Sequence, residues 1–244
     1  MNDFFASVVD KFTRCFIAKS YWKMILQGFR DSLIITFFSI ILGLLIGVIL
    51  ATIRTSYDKN EESLKIKGGI GYWSLKILNS LCKAYIAVIR GVPVVVQLLI
   101  WYFIILATQK NSIIVAVAAF GVNSGAYVAE IFRGGIMSVD VGQFEAGRSL
   151  GFNYVQTMIH IIIPQAFKTV LPTLLNEFIA VLKETSIAGY VGITDLTRAG
   201  AIIRAQTFEA FMPLIAVAII YLVTVIVLTA LFTRIERRLR NSER

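Results

Sequence analysis

Several polar side chains interrupt the apolar stretches of this sequence. Asn123, Tyr127 and Glu130 are spaced i, i+4 and i+7, so they share one face of a helix. Glu177 is the deepest acid of a later apolar stretch, and Glu184 shares its face. Ionisable groups are costly inside a membrane, and their presence there suggests function. They provide hydrogen-bond acceptors and donors for a polar ligand; the alternative for each is a polar clamp between helices of two subunits. For Glu130, which is close to the end of its stretch, the alternative is an interfacial position or a pair with Arg133.

The residue types and their spacing do not favour a catalytic or metal-binding site. His160 is the one histidine of the chain, and Ser124 has no evident base. Cys15 and Cys82 lie far apart and match no metal or redox spacing. We therefore predict no catalysis and no metal site in this chain.

A charged, glycine-punctuated patch opens the stretch "QFEAGRSLGFNYVQTMIHIIIPQ", residues 143–165. Its residues of interest are Glu145, Ala146, Gly147, Arg148, Gly151 and Pro164. Small side chains let a partner approach the helix backbone, and Glu145 and Arg148, at i and i+3, can pair locally or reach that partner. Gly151 is predicted to end the helix, and Pro164 falls in the first turns of the next apolar stretch. The alternative is an ordinary loop helix.

Composition indicates a membrane protein. Of the 244 residues, 57% are hydrophobic and 16% are charged, against about 45–50% and about a quarter in a soluble domain. Four runs hold no Asp, Glu, Lys or Arg: residues 32–53, 91–109, 111–129 and 210–233. Runs of roughly 18 or more apolar residues can cross a bilayer as helices, and these do not alternate as barrel strands would. We predict an all-α membrane protein.

Five transmembrane spans are predicted, at about residues 32–53, 93–106, 112–132, 158–182 and 212–233. Gly43 and Gly47 form a small-xxx-small pair that allows close helix packing. Residues 54–67 read as a loop. The sequence leaves open whether 75–106 is one long helix or is broken at "RGVP". The predicted domains are an amphipathic segment at 1–24, a transmembrane domain at 25–240 and a tail at 241–244.

Loop charges predict the orientation. Five spans put the two ends on opposite sides, and the basic tail "RIERRLRNSER" argues for a cytoplasmic C-terminus. The N-terminus is then outside, and residues 54–90 and 133–157 are inside. The basic N-terminal segment conflicts with this rule, but the other loops favour it. The net charge of +9 then reflects cytoplasmic loops, and no nucleic-acid partner is expected.

The patch spacing resembles a known signature. Residues 145–151 and 161–164 match EAA-x3-G-x9-I-x-L-P of ABC importer permeases, with Gly147 for Ala and Ile163 for Leu. Four further stretches resemble the polar amino acid uptake subfamily, which includes histidine, glutamine and arginine permeases. They are "IRGVPVVVQLLIWYF" (89–103), "NSGAYVAEIFRGGI" (123–136), "GQFEAGRSLG" (142–151) and "LKETSIAGYVGITDLTRAG" (182–200). The similarity spans about residues 26–240.

The resemblance implies a type I ABC importer permease in a bacterial cytoplasmic membrane. In that family a cytoplasmic coupling helix, here at about 141–152, is seated on an ATPase subunit. The implied partners are a second permease subunit, two ABC ATPases, an extracytoplasmic solute-binding protein, the amino acid substrate and membrane lipid. ATP is bound by the partner, so no cofactor is expected in this chain.

Substrate contacts are assigned less closely. An amino acid presents an ammonium and a carboxylate, for which Glu177, Asn123 and Gln97 are candidates, with Tyr127 as a wall. Lys183 and Glu184 match a family motif and serve as a gate, as packing or as substrate contacts. The competing interpretation is a gradient-driven secondary transporter or channel. It is weakened by the docking-type patch and by the absence of an obvious inverted repeat.

Overall fold

The computed structural model describes the backbone of residues 2–241 and the side chains of residues 6–59, 61, 65–66 and 68–238. Residues 242–244 of the predicted tail, and the side chains of Phe4 and Phe5 in the predicted amphipathic segment, lie outside this description. Within it, all regular structure is helical, so the predicted all-α fold is confirmed. The helices are α1 Asn2–Phe12, α2 Tyr21–Lys67, α3 Ile70–Gly91, α4 Val94–Ile100, α5 Ser112–Met137, α6 Val141–Ser149, α7 Tyr154–Thr157, α8 Ile163–Glu184, α9 Leu196–Thr207 and α10 Phe211–Asn241.

Shorter helical turns extend several of these elements. Thr13–Ile17 follows α1, and Trp101–Ile105 follows α4, both as π turns. A third π turn, Met158–Ile162, joins α7 to α8. The 3₁₀ turn Thr185–Val191 follows α8.

Four helical segments of the described chain are long and apolar enough to cross a membrane. They are Tyr21–Lys59, Ser112–Met137, Tyr154–Val191 and Phe211–Arg238. A fifth crossing requires the bent pair Ile70–Gly91 and Val94–Ile105. The predicted number of about five spans is confirmed.

The chain breaks at the "RGVP" stretch. Helix α3 ends at Gly91, and Val92 is extended, with φ −104° and ψ 132°. Pro93 then precedes the first turn of α4. This is the backbone that a residue before proline prefers, so the question that the sequence left open is answered by a broken helix.

The prediction that residues 54–67 form a loop is wrong, because α2 continues as a helix to Lys67. Several polar side chains of residues 54–67 form hydrogen bonds and ion pairs with other side chains of the protein. The Tyr57 hydroxyl donates to the Glu61 carboxylate at 2.8 Å, an i, i+4 contact. Arg54 and Asp58 pair with residues of α5. The charged residues of this segment therefore did not predict where α2 ends.

The described chain divides into two compact units. The first contains the chain up to Ser39, Val94–Phe120 and Ile179–Ala230. Its core includes Cys15 and Phe16 from the N-terminal segment, packed with Leu196, Ala199 and Ile203 of α9. The Lys11 ammonium also lies 3.2 Å from the Glu209 carboxylate. The N-terminal segment is therefore held by contacts with α9 and with Glu209.

Asp195 begins α9 in this unit. Its carboxylate accepts backbone hydrogen bonds from Thr197 at 2.7 Å and from Arg198 at 3.2 Å, as an N-cap does. Burial raises the pKa of the Asp195 carboxyl above its ordinary value, and these two bonds oppose the rise. Gly28 of α2 packs directly on the Asp195 carbonyl: an added Cβ would lie 2.7 Å from that oxygen.

The second unit contains Ile40–Pro93, Gly121–Phe178 and the chain from Leu231. Glycines on both helices bring α2 and α5 together. A Cβ added at Gly47 would lie 2.4 Å from Val128, and one at Gly43 would lie 3.0 Å from Ser124. The small-xxx-small prediction for Gly43 and Gly47 is confirmed by these contacts.

Helix α3 packs on the same part of α5. Ile86 of α3 forms a buried cluster with Ala126 and Ala129. The Tyr85 hydroxyl donates to the Val122 carbonyl at 2.5 Å. Helices α2 and α3 therefore fix the orientation of α5, and with it the polar face that α5 carries.

Candidate functional site

Helix α6 contains the charged, glycine-punctuated patch. Asp140 caps its N-terminus by accepting a hydrogen bond from the Gly142 backbone at 2.6 Å. At the other end the Gly151 N–H donates to the Arg148 carbonyl at 3.0 Å, and the Phe152 N–H donates to the Gly147 carbonyl at 3.1 Å. This is a Schellman motif. It requires the left-handed backbone of Gly151, whose φ is +85°.

One face of α6 rests on the helix that follows it. Gly147 is buried, and a Cβ there would lie 2.7 Å from Thr157 Cγ2 and 3.0 Å from Ile161 Cδ1. The Gln165 side-chain amide donates to the side-chain oxygen Oε1 of Gln143 at 3.1 Å. Gly147 therefore lets α6 sit directly against the start of the long apolar helix.

The opposite face of α6 is open. Glu145, Ala146 and Arg148 are exposed, and Val141 and Leu150 are exposed to 61% and 74%. Among the described residues no ion pair joins Glu145 to Arg148. The face thus presents one acid, one base and two aliphatic side chains, and its chemistry suits a protein partner.

Pro164 lies directly after the π turn Met158–Ile162. In an uninterrupted α-helix its ring would clash with the carbonyl of the residue four positions earlier, His160. A π turn widens the helix at that point. The helix therefore continues from Tyr154 to Glu184 through a proline that would otherwise kink it, and α6 is attached at its base.

The polar face of α5 holds the deepest polar residues of the second unit. Asn123 and Ser124 are buried. The Ser124 hydroxyl donates to the Glu177 carboxylate at 2.8 Å. Glu177 of α8 therefore contacts α5 at the residue that follows Asn123 in the chain. The contact between Ser124 and Glu177 was not predicted from the sequence, in which Ser124 has no evident base.

Tyr127, one turn along α5, has a partner that sequence reasoning missed. The guanidinium of Arg90 lies 5.2 Å from the Tyr127 ring centroid, in range for a cation–π contact. Ser124 and Tyr127 are at i and i+3, so about 4.5 Å of helix rise separates them. An acid and a base from α8 and α3 therefore meet the same face of α5. Arg90 opens the "RGVP" stretch, where the sequence left open whether the helix breaks.

The remaining predicted pathway residues belong to the first unit. Gln97 is buried in α4. On α8, Lys183 is exposed and Glu184 is partly buried.

The residues 68–241 match the family of binding-protein-dependent transport system inner membrane components. The chain belongs to this family. The predicted resemblance to ABC importer permeases is thereby confirmed. The family match includes the patch, the polar face of α5 and both glutamates of α8.

Two relatives in this permease family are similar along nearly their whole length. The arginine transport system permease protein ArtQ of Bacillus subtilis is 34% identical over 222 residues, which are 90% of this chain and 94% of that protein. The glutamine transport system permease protein GlnP of Escherichia coli is 34% identical over 221 residues, 89% of this chain and 93% of that protein.

Two solved transporter structures are similar in fold to this chain. A crystal structure of an amino acid ABC transporter with histidines has a TM-score of 0.77 at 38% identity, covering 89% of this chain and 95% of that chain. The inward-facing methionine transporter MetNI has a TM-score of 0.75 at 17% identity, covering 91% and 99%. The predicted importer permease fold is confirmed.

Proposed function

We propose that this chain is the transmembrane subunit of an ATP-driven importer that carries a polar amino acid across a bacterial cytoplasmic membrane by alternating access. The observation that carries this proposal is the similarity to the arginine and glutamine permeases, 34% identical over 90% and 89% of the chain. The chain supplies no catalysis of its own, and a partner ATPase binds and hydrolyses ATP.

In this proposal α6 is the coupling helix. Helix α6 and the basic C-terminal tail of the chain are cytoplasmic, and the N-terminus of the chain is outside. The exposed face with Glu145, Ala146 and Arg148 docks on the ATPase. Gly147 supports the role from the other side, because it lets α6 pack directly on the base of the α8 helix, and Gly151 ends α6. A displacement of α6 by the ATPase then moves the α8 helix from its first turn, which contains Pro164.

The assembly has two permease subunits, either identical or related, above two ABC ATPases. A solute-binding protein delivers the amino acid to the outer face. Membrane lipid covers the exposed apolar side chains of α10, among them Leu222, Ile226 and Leu231.

The substrate meets the polar face of α5. Glu177 suits the α-ammonium of an amino acid, and Arg90 suits its carboxylate. Asn123 and Tyr127 lie on that face as a hydrogen-bonding group and a wall. Gln97, Lys183 and Glu184 are further candidates from the first unit. The cation and anion at one helix face favour a zwitterion over a simple ion.

Reconstitution tests the proposal. The chain is placed in proteoliposomes with its cognate ATPase and binding protein, and uptake of radiolabelled arginine, glutamine and histidine is measured. We expect uptake only when ATP is present on the ATPase side, with competition by unlabelled polar amino acids. Uptake that an ion gradient drives without ATP would instead establish a secondary transporter.

A further inference from the structure

Two basic and two acidic side chains join α2 to α5 in the second unit. We call Arg54, Asp58, Glu130 and Arg133 the charge cluster. Arg133 lies 3.2 Å from the Asp58 carboxylate and 3.6 Å from that of Glu130. Arg54 pairs with the other oxygen of Glu130. The charges balance, so the cluster is neutral as a whole.

The cluster is largely shielded from water. The Arg54 side chain is only 10% exposed, and those of Asp58, Glu130 and Arg133 are 22–28% exposed. Ion pairs of this kind are screened less by salt than exposed pairs. Removing the Glu130 carboxylate would leave the nearly buried Arg54 guanidinium without its ion-pair partner, which is unfavourable. The two helices are therefore held in register more firmly than by an exposed surface pair.

The cluster lies at the end of α5 that leads into α6. Arg54 and Asp58 are at i and i+4 on α2, and Glu130 and Arg133 are at i and i+3 on α5, so two successive turns of each helix are joined. Helix α5 ends at Met137, and only residues 138–140 precede α6. The Ser138 hydroxyl bonds back to the Gly135 carbonyl at 2.8 Å, which stiffens this short connection.

Helix α2 also touches α6 directly. The Lys59 ammonium lies 4.2 Å from the centroid of the Phe144 ring, a cation–π distance. Phe144 precedes Glu145 and packs on a buried cluster that includes Ile136, Val139 and Ile162. One turn of α2 past Arg54 thus contacts α5 through Asp58 and α6 through Lys59.

We infer that the charge cluster and Lys59 position α6 against α2, so that a displacement of α6 is passed to α2 as well as to the α8 helix. The inference rests on the proposed role of α6 as the coupling helix. Asp58, Lys59 and Arg133 are then positioning residues, which act through their contacts with α5 and α6. The part of α2 past Arg54 brings Lys59 to α6. This contact explains why residues 54–67 are helical, although their charges predicted a loop.

The coupling ratio tests this inference. ATP hydrolysis and amino acid uptake are measured in the same proteoliposomes of the complete importer, for Asp58→Asn, Arg133→Gln and the double variant. We expect each single variant to hydrolyse about threefold or more ATP per amino acid imported, because a displacement of α6 would then move α2 less. The double variant should be no worse than the worse single variant, because contacting residues are energetically coupled. Unchanged ratios, or additive losses, would overturn the inference.

A matched control removes an ion pair elsewhere. Asp10 and Arg14 of the N-terminal segment pair at 2.5 Å, but their side chains are 65% and 59% exposed. Asp10→Asn is expected to leave the ratio unchanged. Lys59→Arg, which keeps the cation over Phe144, should retain coupling that Lys59→Gln loses.

Hydrogen exchange separates this inference from the proposed function. Backbone amide exchange of α6 is measured in the detergent-purified importer complex, with no transport required. We expect faster exchange in α6 for Asp58→Asn and Lys59→Gln, and wild-type exchange for Asp10→Asn. Equal exchange in all variants would refute the positioning role even if ATP-driven import is established. Faster exchange would support it even if the wild type fails to import.

Discussion

Gly147 shows how one missing methyl group sets the position of a helix. Its buried face meets Thr157 and Ile161 at distances that leave no room for a Cβ. The family signature that the patch resembles has Ala at this position. This chain has Gly147 where the signature has Ala, because Thr157 of the following helix leaves no space for a Cβ at position 147.

We predict that Gly147→Ala displaces α6. The added Cβ would lie 2.7 Å from Thr157 Cγ2, and overpacking of this kind costs about 1–3 kcal/mol. The melting temperature of the purified importer complex and ATP-dependent uptake should both fall. Thr157→Ser removes that methyl group and keeps the hydroxyl that bonds to Asn153. The Gly147→Ala/Thr157→Ser variant should recover part of both losses; no recovery would contradict the assigned contact.

At the scale of elements, the packing of α2 on α5 depends on glycines that face the partner helix. In Gly125→Ala the new Cβ would lie 2.8 Å from Ile46. We expect overpacking to outweigh the gain in helix propensity, with a net loss of about 1–2 kcal/mol. Thermal unfolding of the detergent-purified complex measures it.

Gly134 provides the control on the same helix. A Cβ at Gly134 meets nothing within 4 Å. Gly134→Ala should therefore leave the melting temperature unchanged or raise it, because alanine favours a helix. If Gly125→Ala and Gly134→Ala have equal effects, close approach of α2 is not what Gly125 provides.

The elements were predictable to the extent that local patterns determine them. Charge-free apolar runs predicted the spans, because a bilayer requires about 20 such residues in a helix. The break at Pro93 was undecided, since proline is tolerated in a first helical turn and kinks a helix elsewhere. The end of α2 was missed because its charges pair with residues such as Glu130, 76 positions from Arg54. Contacts so far apart in the chain leave no pattern in a single sequence.

The same limit applies to the site. The patch on α6 was identifiable because its small residues and its cap are local in sequence. The Ser124–Glu177 hydrogen bond joins residues 53 positions apart, and Arg90 reaches Tyr127 from another helix. Residue types indicated which side chains were costly in a membrane, whereas only the fold brings them to one face.

For the whole molecule, the proposed substrate contact of Glu177 and a purely structural role, in which Glu177 only clamps α8 to α5, predict different transport kinetics. Glu177→Gln distinguishes the two, because a glutamine carbonyl still accepts the Ser124 hydrogen bond while the charge is lost. A clamp alone predicts unchanged import. A contact to the α-ammonium predicts a higher apparent KM for the amino acid, by about tenfold or more, because hydrogen bonds to charged groups contribute about 1.5–3 kcal/mol.

Uptake kinetics in the reconstituted importer measure this change, with the binding protein at saturating concentration so that delivery is not limiting. Thr173→Ala is the control: Thr173 is exposed one turn earlier on α8, and its hydroxyl bonds to the Thr169 carbonyl of the same helix. Its KM should equal that of the wild type. Because Glu177 and Arg90 meet one face of α5, Arg90→Gln should raise the KM as well, through the carboxylate. A higher KM in only one of the two charge variants would mean that this face does not bind the zwitterion as a unit.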